Sequence, residues 1–481
     1  MFTLDRESAV PLTEQLEAEL RRRIAGGQLA PGARLPSIRQ LASRLGVSAY
    51  TVVNAYDRLV AAGVVEARAT SGLFVKGRVE FAPEVALGSE GAVDTRWLSR
   101  RLLSPGVGTI TAGTAFVPGH WVEGAITPAF VAKALRAKPA FVTGTTQGMP
   151  ELREQLAIKL RGMSIPADPA RILVTYGASQ AIDLVCRALV HEGDTVLVED
   201  PVYLVLLDRL RETGARLVAI PRTPEGPDLD AIERACREHK PRLFFMQSLL
   251  HNPTGWDATP AVLHRILELA SRHDFLVAED DVYGDMHPGN PVRLATLAGL
   301  ERVIYFSSFT KVLNPAWRVG YVAAEPALID ALVTEKMRAV LTGSLVEETV
   351  VAEMLRTGIY RKHLQVLRNK LATARATTLK NLLGAGLEVP YPAEHGIFLW
   401  AALPPMVDVD ELVRSAWDAG ILLAKGALFR ASDDGNDRHL RFNAATSTDL
   451  RVADFLRART RAAESAGRDI ARLGRTDDTR G

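Results

Sequence analysis

Cysteine is scarce in this chain, which contains only Cys186 and Cys236 among its 481 residues. Two cysteines are too few for a disulfide framework or a zinc quartet, so no metal site is expected. Long apolar runs are also missing, because no stretch approaches the roughly 18 apolar residues that indicate a membrane span. Charges at Asp5 and Arg6, with no apolar segment after them, argue against a signal peptide. These absences favour a protein of the reducing cytoplasm with no membrane partner.

A strong net charge is lacking as well, since 58 lysines and arginines nearly balance 56 aspartates and glutamates, for a net charge of +2. The apolar share of 47% and the charged share of 24% are those of a globular protein and exclude a wholly disordered chain. The charge is uneven, however, because residues 1–78 carry eleven basic and seven acidic side chains. A small basic module on a near-neutral remainder is a candidate for contact with nucleic acid.

The first 78 residues have the pattern of three short helices followed by a hairpin. Ser37 and Gln40 have the spacing of a capping box, and Ser48 is expected to cap the third helix. A buried face is expected at Val52, Tyr56, Leu59 and Val60. This order predicts a winged helix-turn-helix, in which the third helix enters the major groove of double-stranded DNA. A helical dimerisation module is the alternative. The predicted elements are helices over 12–26, 37–45 and 48–63 and strands over 64–66 and 73–75.

The contacts expected with DNA follow from that geometry. The N-terminal residues of the third helix would meet base edges, and arginines around them would meet phosphates. In the alternative module the same arginines would be solvated. The expected contacts are Ser48, Ala49, Tyr50 and Thr51 at base edges and Arg34, Arg39, Arg44 and Arg68 at phosphates or in the groove.

The run PGARLPSIRQLASRLGVSAYTVVNAYDRLVAAGVVEARATSGLFV resembles the GntR-type DNA-binding domain, over nearly the whole of the first 76 residues. The resemblance implies that the side chains at Arg39, Ser48 and Thr51 touch DNA. A basic residue is common in that family where this chain has Ala49. The departure leaves Tyr50 and the wing to carry more of the base recognition.

The rest of the chain has a different pattern. Residues 79–108 are weakly patterned and rich in glycine and proline, which is typical of a linker, and residues 471–481 form a polar tail. Between them, residues 109–470 alternate short apolar strands with helices, which predicts an α/β domain with a mainly parallel sheet covered on both faces. The candidate strands are 171–176, 195–199, 216–220, 242–247, 275–279, 303–307 and 319–323, and the candidate helices include 179–191, 229–239 and 260–273.

Polar side chains follow most of these strands, where ligands of such sheets bind. A lysine there can form an imine with an aldehyde, and a small-residue turn that opens a helix suits a phosphate. Each residue alone has an ordinary structural explanation, but the set together matches pyridoxal 5'-phosphate. The matching residues are Lys311 for the aldehyde; Ala178, Ser179, Ser308 and Arg318 for the phosphate; Asp280 for the pyridine nitrogen; Asn252 and Tyr283 for the phenolate oxygen; and Tyr203 for the ring face.

Residues 110–465 resemble the fold-type I aminotransferases, most specifically in the runs HNPTG at 251–255 and SFTKVLNPAWRVGY at 308–321. The resemblance implies those same cofactor roles, with Lys311 as the covalent attachment point. It also implies a smaller α+β subdomain from about residue 345, and a role for Arg441 in gripping a substrate carboxylate. Relatives usually have tyrosine at Thr143, glycine at His395 and proline at Lys425. The last two departures indicate an altered effector pocket or drift in exposed loops.

The order of the two blocks resembles the MocR/GabR type of GntR-family transcriptional regulator over almost the whole chain. The resemblance implies a homodimer whose cofactor senses an amino acid or amine by exchange with Lys311. A working aminotransferase with an appended DNA-binding domain is the alternative. A repressor with an inactive scaffold conflicts with the presence of Lys311, Asp280 and Arg318.

Overall fold

The chain divides into two compact units, Met1–Gly91 and Ala92–Gly481. The division falls inside the predicted linker, of which only Arg101 and residue 108 are described. Thr143 lies outside the described residues, as does the end of the predicted tail after Asp477. The structure, a computed structural model, describes residues 10–25, 29, 32–61, 64–68, 72–75, 101, 108–136, 144–431 and 437–477.

The first unit is the predicted arrangement of three helices and a hairpin. Ser37 and Gln40 form the expected capping box, with the Gln40 N–H 3.3 Å from Ser37 Oγ and the Ser37 N–H 3.2 Å from Gln40 Oε1. The prediction that Val60 is buried is wrong, since its side chain is 38% exposed. Ala55 takes its place, because it lies on the same helical stripe as Val52. The elements are α1 (Leu12–Ala25), α2 (Ile38–Leu45), α3 (Ala49–Ala61), β1 (Val65–Arg68) and β2 (Gly72–Val75).

The second unit is built on an eight-stranded sheet in the order β3-β10-β9-β8-β7-β4-β5-β6. The central pairs are parallel, while β10 runs antiparallel to both of its neighbours and β6 runs antiparallel to β5. All seven predicted strands are confirmed. The strands are β3 (Ile172–Thr175), β4 (Thr195–Asp200), β5 (Arg216–Thr223), β6 (Gly226–Pro227), β7 (Leu243–Met246), β8 (Leu276–Asp280), β9 (Val303–Ser308) and β10 (Gly320–Ala323).

Helices cover this sheet because its strands are apolar on both faces. All six residues of β9 are buried, for example, which is typical of a parallel sheet packed between two helical layers. The helices are α4 (Gly119–Val122), α5 (Pro128–Arg136), α6 (Pro150–Gly162), α7 (Gly177–Leu189), α8 (Leu204–Arg211), α9 (Leu229–His239), α10 (Pro260–His273), α11 (Leu294–Ala298), α12 (Pro326–Val340) and α13 (Leu345–Arg356). No helix of the described ranges is long and apolar enough to cross a bilayer.

A second, smaller sheet has its own core. Its three antiparallel strands are in the order β11-β13-β12, and Ile110 bridges Ile421 beside them. The long helix α14 joins the two cores, since Leu367 packs in the large core and Leu382 in the small one. The two cores therefore divide within α14. The remaining elements are α14 (Ile359–Gly384), β11 (Phe398–Ala402), α15 (Val409–Asp418), β12 (Ala424–Lys425), β13 (His439–Asn443) and α16 (Leu450–Asp477).

Candidate cofactor site and DNA-contact surface

Helix α7 begins directly after β3, and Arg318 lies against its first turn. Arg318 Nη2 donates to the carbonyl of Tyr176 at 3.2 Å, and Nη1 donates to Thr310 Oγ1 at 3.3 Å. Gly177 has φ +73°, and a Cβ there would lie 2.8 Å from Arg318 Nη2. Only glycine therefore allows the guanidinium this close to the start of the helix.

The same place gathers further anion-binding groups. The N–H groups of Ala178 and Ser179 lie in the first turn of α7, where a helix offers no acceptor and its dipole is positive. Ser308 Oγ, at the end of β9, donates to Thr310 Oγ1 at 2.9 Å. The structure thus brings the four predicted phosphate residues together and adds Thr310. The sequence analysis missed this residue, although its hydroxyl lies in the run that contains Lys311.

Lys311 ends a short 3-10 helix that follows β9. Burial and the positive charges of Arg441 and Arg318 lower the pKa of Lys311 to about 7, against the opposing effect of Asp280. Its Nζ lies 4.0 Å from the ring centroid of Phe116. At neutral pH a substantial fraction of the lysine is therefore the neutral amine, which is the form that attacks a carbonyl.

Asp280 and Asp281 end up in opposite environments. Burial raises the pKa of Asp280 to about 7, and its Oδ1 accepts the Val282 N–H at 3.1 Å, its one hydrogen bond with the described residues. Asp281 is instead tied into the core, since its Oδ2 accepts from Arg293 Nε at 2.7 Å and from the Tyr305 hydroxyl at 2.6 Å. Of the two carboxyl groups, Asp280 is the one left for a ligand.

Arg441 and Asn252 contact each other directly. Arg441 Nη1 donates to Asn252 Oδ1 at 2.7 Å, and Nη2 donates to the carbonyl of Gly113 at 2.6 Å. The first bond fixes the amide of Asn252 so that its Nδ2 is left to donate to a ligand. Arg441 is 2% exposed, burial lowers its pKa to about 10, and its Nε has no partner in the part of the chain described.

Two tyrosines approach the same centre. Tyr203 lies at the start of α8, and burial raises its pKa to about 12 with a smaller contribution from Asp280. Tyr283 is buried, and its ring meets that of Phe398 edge to face at 4.9 Å between centroids. Burial raises the pKa of Tyr283 well above its usual range, so its hydroxyl remains a hydrogen-bond donor.

A buried polar network supports the loop that carries Asn252. Gln247 Oε1 accepts the Asn252 N–H at 2.7 Å, and Glu199 accepts the Gln247 N–H at 2.8 Å. Arg222 pairs with Glu199 inside the core. His251 Nδ1 lies 2.8 Å from Thr254 Oγ1. These contacts fix the loop beyond β7 and hence the position of the Asn252 amide.

His395 and Lys425, which depart from the aminotransferase pattern, lie in different surroundings. His395 stacks edge to face on His287 at 4.6 Å between ring centroids, and its carbonyl accepts from Arg375. Lys425 pairs with Asp410 at 2.7 Å on the small domain. Lys425 therefore has a local ion-pair partner within the small domain.

The predicted DNA contacts lie on the surface of the first unit. Tyr50 is 74% exposed at the start of α3. Ser48 Oγ caps this helix, accepting the Thr51 N–H at 3.0 Å and lying 2.8 Å from Thr51 Oγ1. The side chain of Arg68 lies outside the described residues. The other three predicted phosphate contacts, Arg34, Arg39 and Arg44, are exposed and have no ion pair with the described residues.

Other arginines of this unit are neutralised. Arg21 pairs with Glu17 at 3.0 Å, and Arg58 lies 3.5 Å from both Glu14 and Glu17. Among the described side chains of this unit, positive charge is left without an ion pair at Arg34, just before α2, and at Arg39 and Arg44 in α2. This is the distribution expected where a duplex backbone approaches.

Two family models match the chain. The bacterial regulatory proteins of the gntR family match residues 12–75, and the class I and II aminotransferases match residues 107–458. The chain is 30% identical over 448 residues to the uncharacterized HTH-type transcriptional regulator YdcR of Escherichia coli, covering 90% of this chain and 94% of that protein. It is 31% identical to the probable rhizopine catabolism regulatory protein MocR of Rhizobium meliloti, over 77% of each chain.

Solved structures with the same fold include the α-aminoadipate aminotransferase LysN of Thermus thermophilus. The TM-score is 0.70 at 27% identity, over 77% of this chain and 95% of that one. LysN was solved in complex with N-(5'-phosphopyridoxyl)-L-leucine, a cofactor joined to an amino acid. Similarity at this level, together with the match to the aminotransferases, confirms the predicted fold-type I architecture.

Proposed function

Because this chain belongs to the MocR-type regulators of the GntR family, in which a helix-turn-helix precedes an aminotransferase domain, we propose that it controls transcription in response to an amino acid or amine. The effector would reach a pyridoxal 5'-phosphate held by Lys311. Double-stranded DNA would be bound by the first unit. We further infer a homodimer, since two copies of a helix-turn-helix read the two halves of a symmetric operator.

One observation carries the cofactor proposal. Lys311 and Asp280 both have a pKa of about 7, shifted by burial in opposite directions, and neither forms an ion pair within the described part of the chain. Both side chains are half-buried, and an acid and an amine left in this state are costly to the fold. A ligand with an aldehyde and a basic ring nitrogen would satisfy both groups.

The remaining residues fit the other parts of that ligand. The first turn of α7, Ser308 and Arg318 would hold the phosphate, while Asn252 and Tyr283 would donate to the phenolate oxygen. Tyr203 would cover the ring face. Pyridoxal phosphate, when bound, supplies an aldehyde that exchanges amines and a ring that accepts electrons from them.

The effector would carry a carboxylate or a similar planar anion. Arg441 is buried, stays charged at neutral pH and has an unpartnered Nε, which favours a charge-assisted contact with such a group. Phe116 and Phe429 flank Lys311 and Arg441 respectively, at 4.0 and 4.6 Å from ring centroid to charge. The effector amine would therefore lie beside an aromatic wall while its anion faces Arg441.

The alternative, an active aminotransferase with an appended DNA-binding domain, is favoured by the presence of Lys311, Asp280 and Arg441 together. The test measures DNA affinity and aminotransferase activity in one preparation of the full chain. DNA fragments selected by the protein itself are titrated by fluorescence anisotropy with and without each amino acid, while oxo-acid release is measured in parallel.

A regulator is expected to change its DNA affinity about fivefold or more with one class of amino acid, the usual size of a coupling between sites. Oxo acid should then not accumulate beyond one equivalent per chain. Multiple turnovers with unchanged DNA affinity would instead establish the aminotransferase. An absence of cofactor absorbance in the protein would contradict both.

A further inference from the structure

A second cavity of about 340 Å³ lies along one face of α14, apart from the site around Lys311. Met286 and Pro288, from the segment that follows Tyr283, form one wall, and His395 forms another. This volume is in the range of small-molecule sites. The cavity shares no lining residue with the cofactor site described above.

Two arginines of α14 line this cavity. Arg368 and Arg375 are seven residues apart, which places them two turns apart on the same helix face. Neither has a carboxylate within 4.0 Å among the residues that the structure describes. Their hydrogen-bond partners are main-chain carbonyls, and the Asp257 carboxylate acts on Arg375 only from beyond ion-pair distance.

The Arg368 guanidinium has free donors. Its Nε donates to the carbonyl of Asp285 at 3.0 Å, while Nη1 and Nη2 have no hydrogen bond or ion pair with the described residues. Its terminal nitrogens are therefore available as a planar fork for a carboxylate. The side chain is half-buried, so a bound anion would be partly shielded from water.

Arg375 adds a buried charge. It is 6% exposed, and Nη1 donates to the carbonyl of Phe398 at 2.8 Å while its Nε has no described partner. Burial lowers the pKa of Arg375 to about 10, so it is still charged at neutral pH. Asp257 offsets this burial only from beyond ion-pair distance, so an anion in the cavity would stabilise the buried charge further.

From this arrangement we infer a second ligand site, which takes a small organic carboxylate on Arg368 in the field of Arg375. The apolar side chains of Met286, Pro288 and Leu371 suit the hydrocarbon part of such a molecule. Glu394 is exposed at the rim of the cavity. Because its carboxylate would repel that of the ligand, the site takes only ligands that keep the two carboxylates apart. The site is independent of whether Lys311 holds a cofactor.

Its position connects it to the cofactor site. Arg368 holds the carbonyl of Asp285, two residues after Tyr283, and Arg375 holds that of Phe398, whose ring contacts Tyr283. A carboxylate bound between them would join the segment that carries Tyr283 to the first residue of β11. Occupancy would thus stiffen one wall of the cofactor site.

The test is a calorimetric titration of the full chain with succinate, its uncharged diamide and inorganic phosphate. Succinate should bind, and the diamide should not. Arg368→Gln should weaken succinate binding about tenfold. Arg361→Gln, which removes the same charge from an exposed position of α14, should leave it unchanged. Glu394→Gln should strengthen binding about twofold, which keeps the test informative if Arg368→Gln folds poorly.

Arg441→Ala separates this site from the proposed effector site. Succinate binding that survives Arg441→Ala and is lost in Arg368→Gln supports the second site even if the proposed function fails. Binding lost in Arg441→Ala and kept in Arg368→Gln overturns the inference, because succinate would then occupy the effector site. Phosphate binding that is as tight as that of succinate and is lost in Arg368→Gln overturns the assignment of a carboxylate.

Discussion

Replacing Asp280 by asparagine should stabilise the cofactor-free protein at neutral pH, although it should weaken the cofactor site. Burial raises the pKa of this carboxyl from 3.8 to about 7. Because the folded-state pKa lies above the unfolded one, the carboxyl contributes its full stability below about pH 4. That contribution is lost as the pH rises to about 7. A shift of about three pH units corresponds to about 4 kcal/mol of unfolding free energy.

Between pH 5 and pH 8 the titration of Asp280 should change the free energy of unfolding by about 2–3 kcal/mol. The assay is urea unfolding of the cofactor-free protein, followed by tryptophan fluorescence at several pH values. The quantity compared is the difference in unfolding free energy between parent and Asp280→Asn, which should grow in favour of the variant as the pH rises. Adding pyridoxal phosphate should reverse the order, since only the parent gains a charge pair.

Asp281→Asn is the matched control, one residue away. It breaks the buried contact with Arg293 and should cost about 3–5 kcal/mol at every pH in the range. A constant difference between parent and Asp280→Asn would refute the argument. A pH-dependent gain in Asp281→Asn would show that the cofactor partner had been placed one residue too early.

Three further predictions concern the cofactor, DNA and effector contacts. Borohydride should fix pyridoxal phosphate to the peptide that contains Lys311, and an adduct that persists elsewhere in Lys311→Ala would contradict the assignment. Arg39→Ala should lower the slope of log DNA affinity against log salt by about one, whereas Arg58→Ala, whose charge is already paired, should change it less. Tyr50→Ala should reduce the preference for one DNA sequence over others without changing the salt slope. A change in the salt slope alone would instead assign Tyr50 to a contact with the DNA phosphate backbone. Arg441→Ala should keep DNA binding in the absence of effector. It should need about tenfold or more effector to change its DNA affinity, because a charge-assisted bond is worth about 1.5–3 kcal/mol. An unchanged midpoint of the effector titration would exclude Arg441 from the effector site.

The strands and the residues at their ends could be predicted because both depend on local patterns. Asp280 and Ser308 end buried strands and Asn252 lies just beyond one, and parallel strands end at one edge of the sheet. The capping box of α2 was predictable for the same reason, since it needs only Ser37 and Gln40 at the right spacing.

Contacts between distant segments could not be predicted in this way. Phe116 reaches Lys311 from almost two hundred residues away, and the carbonyl of Gly113 that binds Arg441 has no side chain to reveal it. Val60 has the apolar character of its neighbours, but the packing of other segments around α3 decides which positions are covered, and Val60 stays 38% exposed. The burial of the Arg375 side chain depends on tertiary packing alone.

Helix α14 gives the second unit a mechanical property. Its 26 residues span about 39 Å, and it is fastened at both ends. His363 Nε2 donates to the carbonyl of Val312, next to Lys311, at 2.6 Å, and Thr378 Oγ1 donates to that of Ala444, beyond β13, at 2.9 Å. A flexure of about 5° at its midpoint would carry either end through roughly 1.7 Å, about half the length of a hydrogen bond. The helix thus ties the backbone beside Lys311 to the segment that follows β13, the strand that carries Arg441.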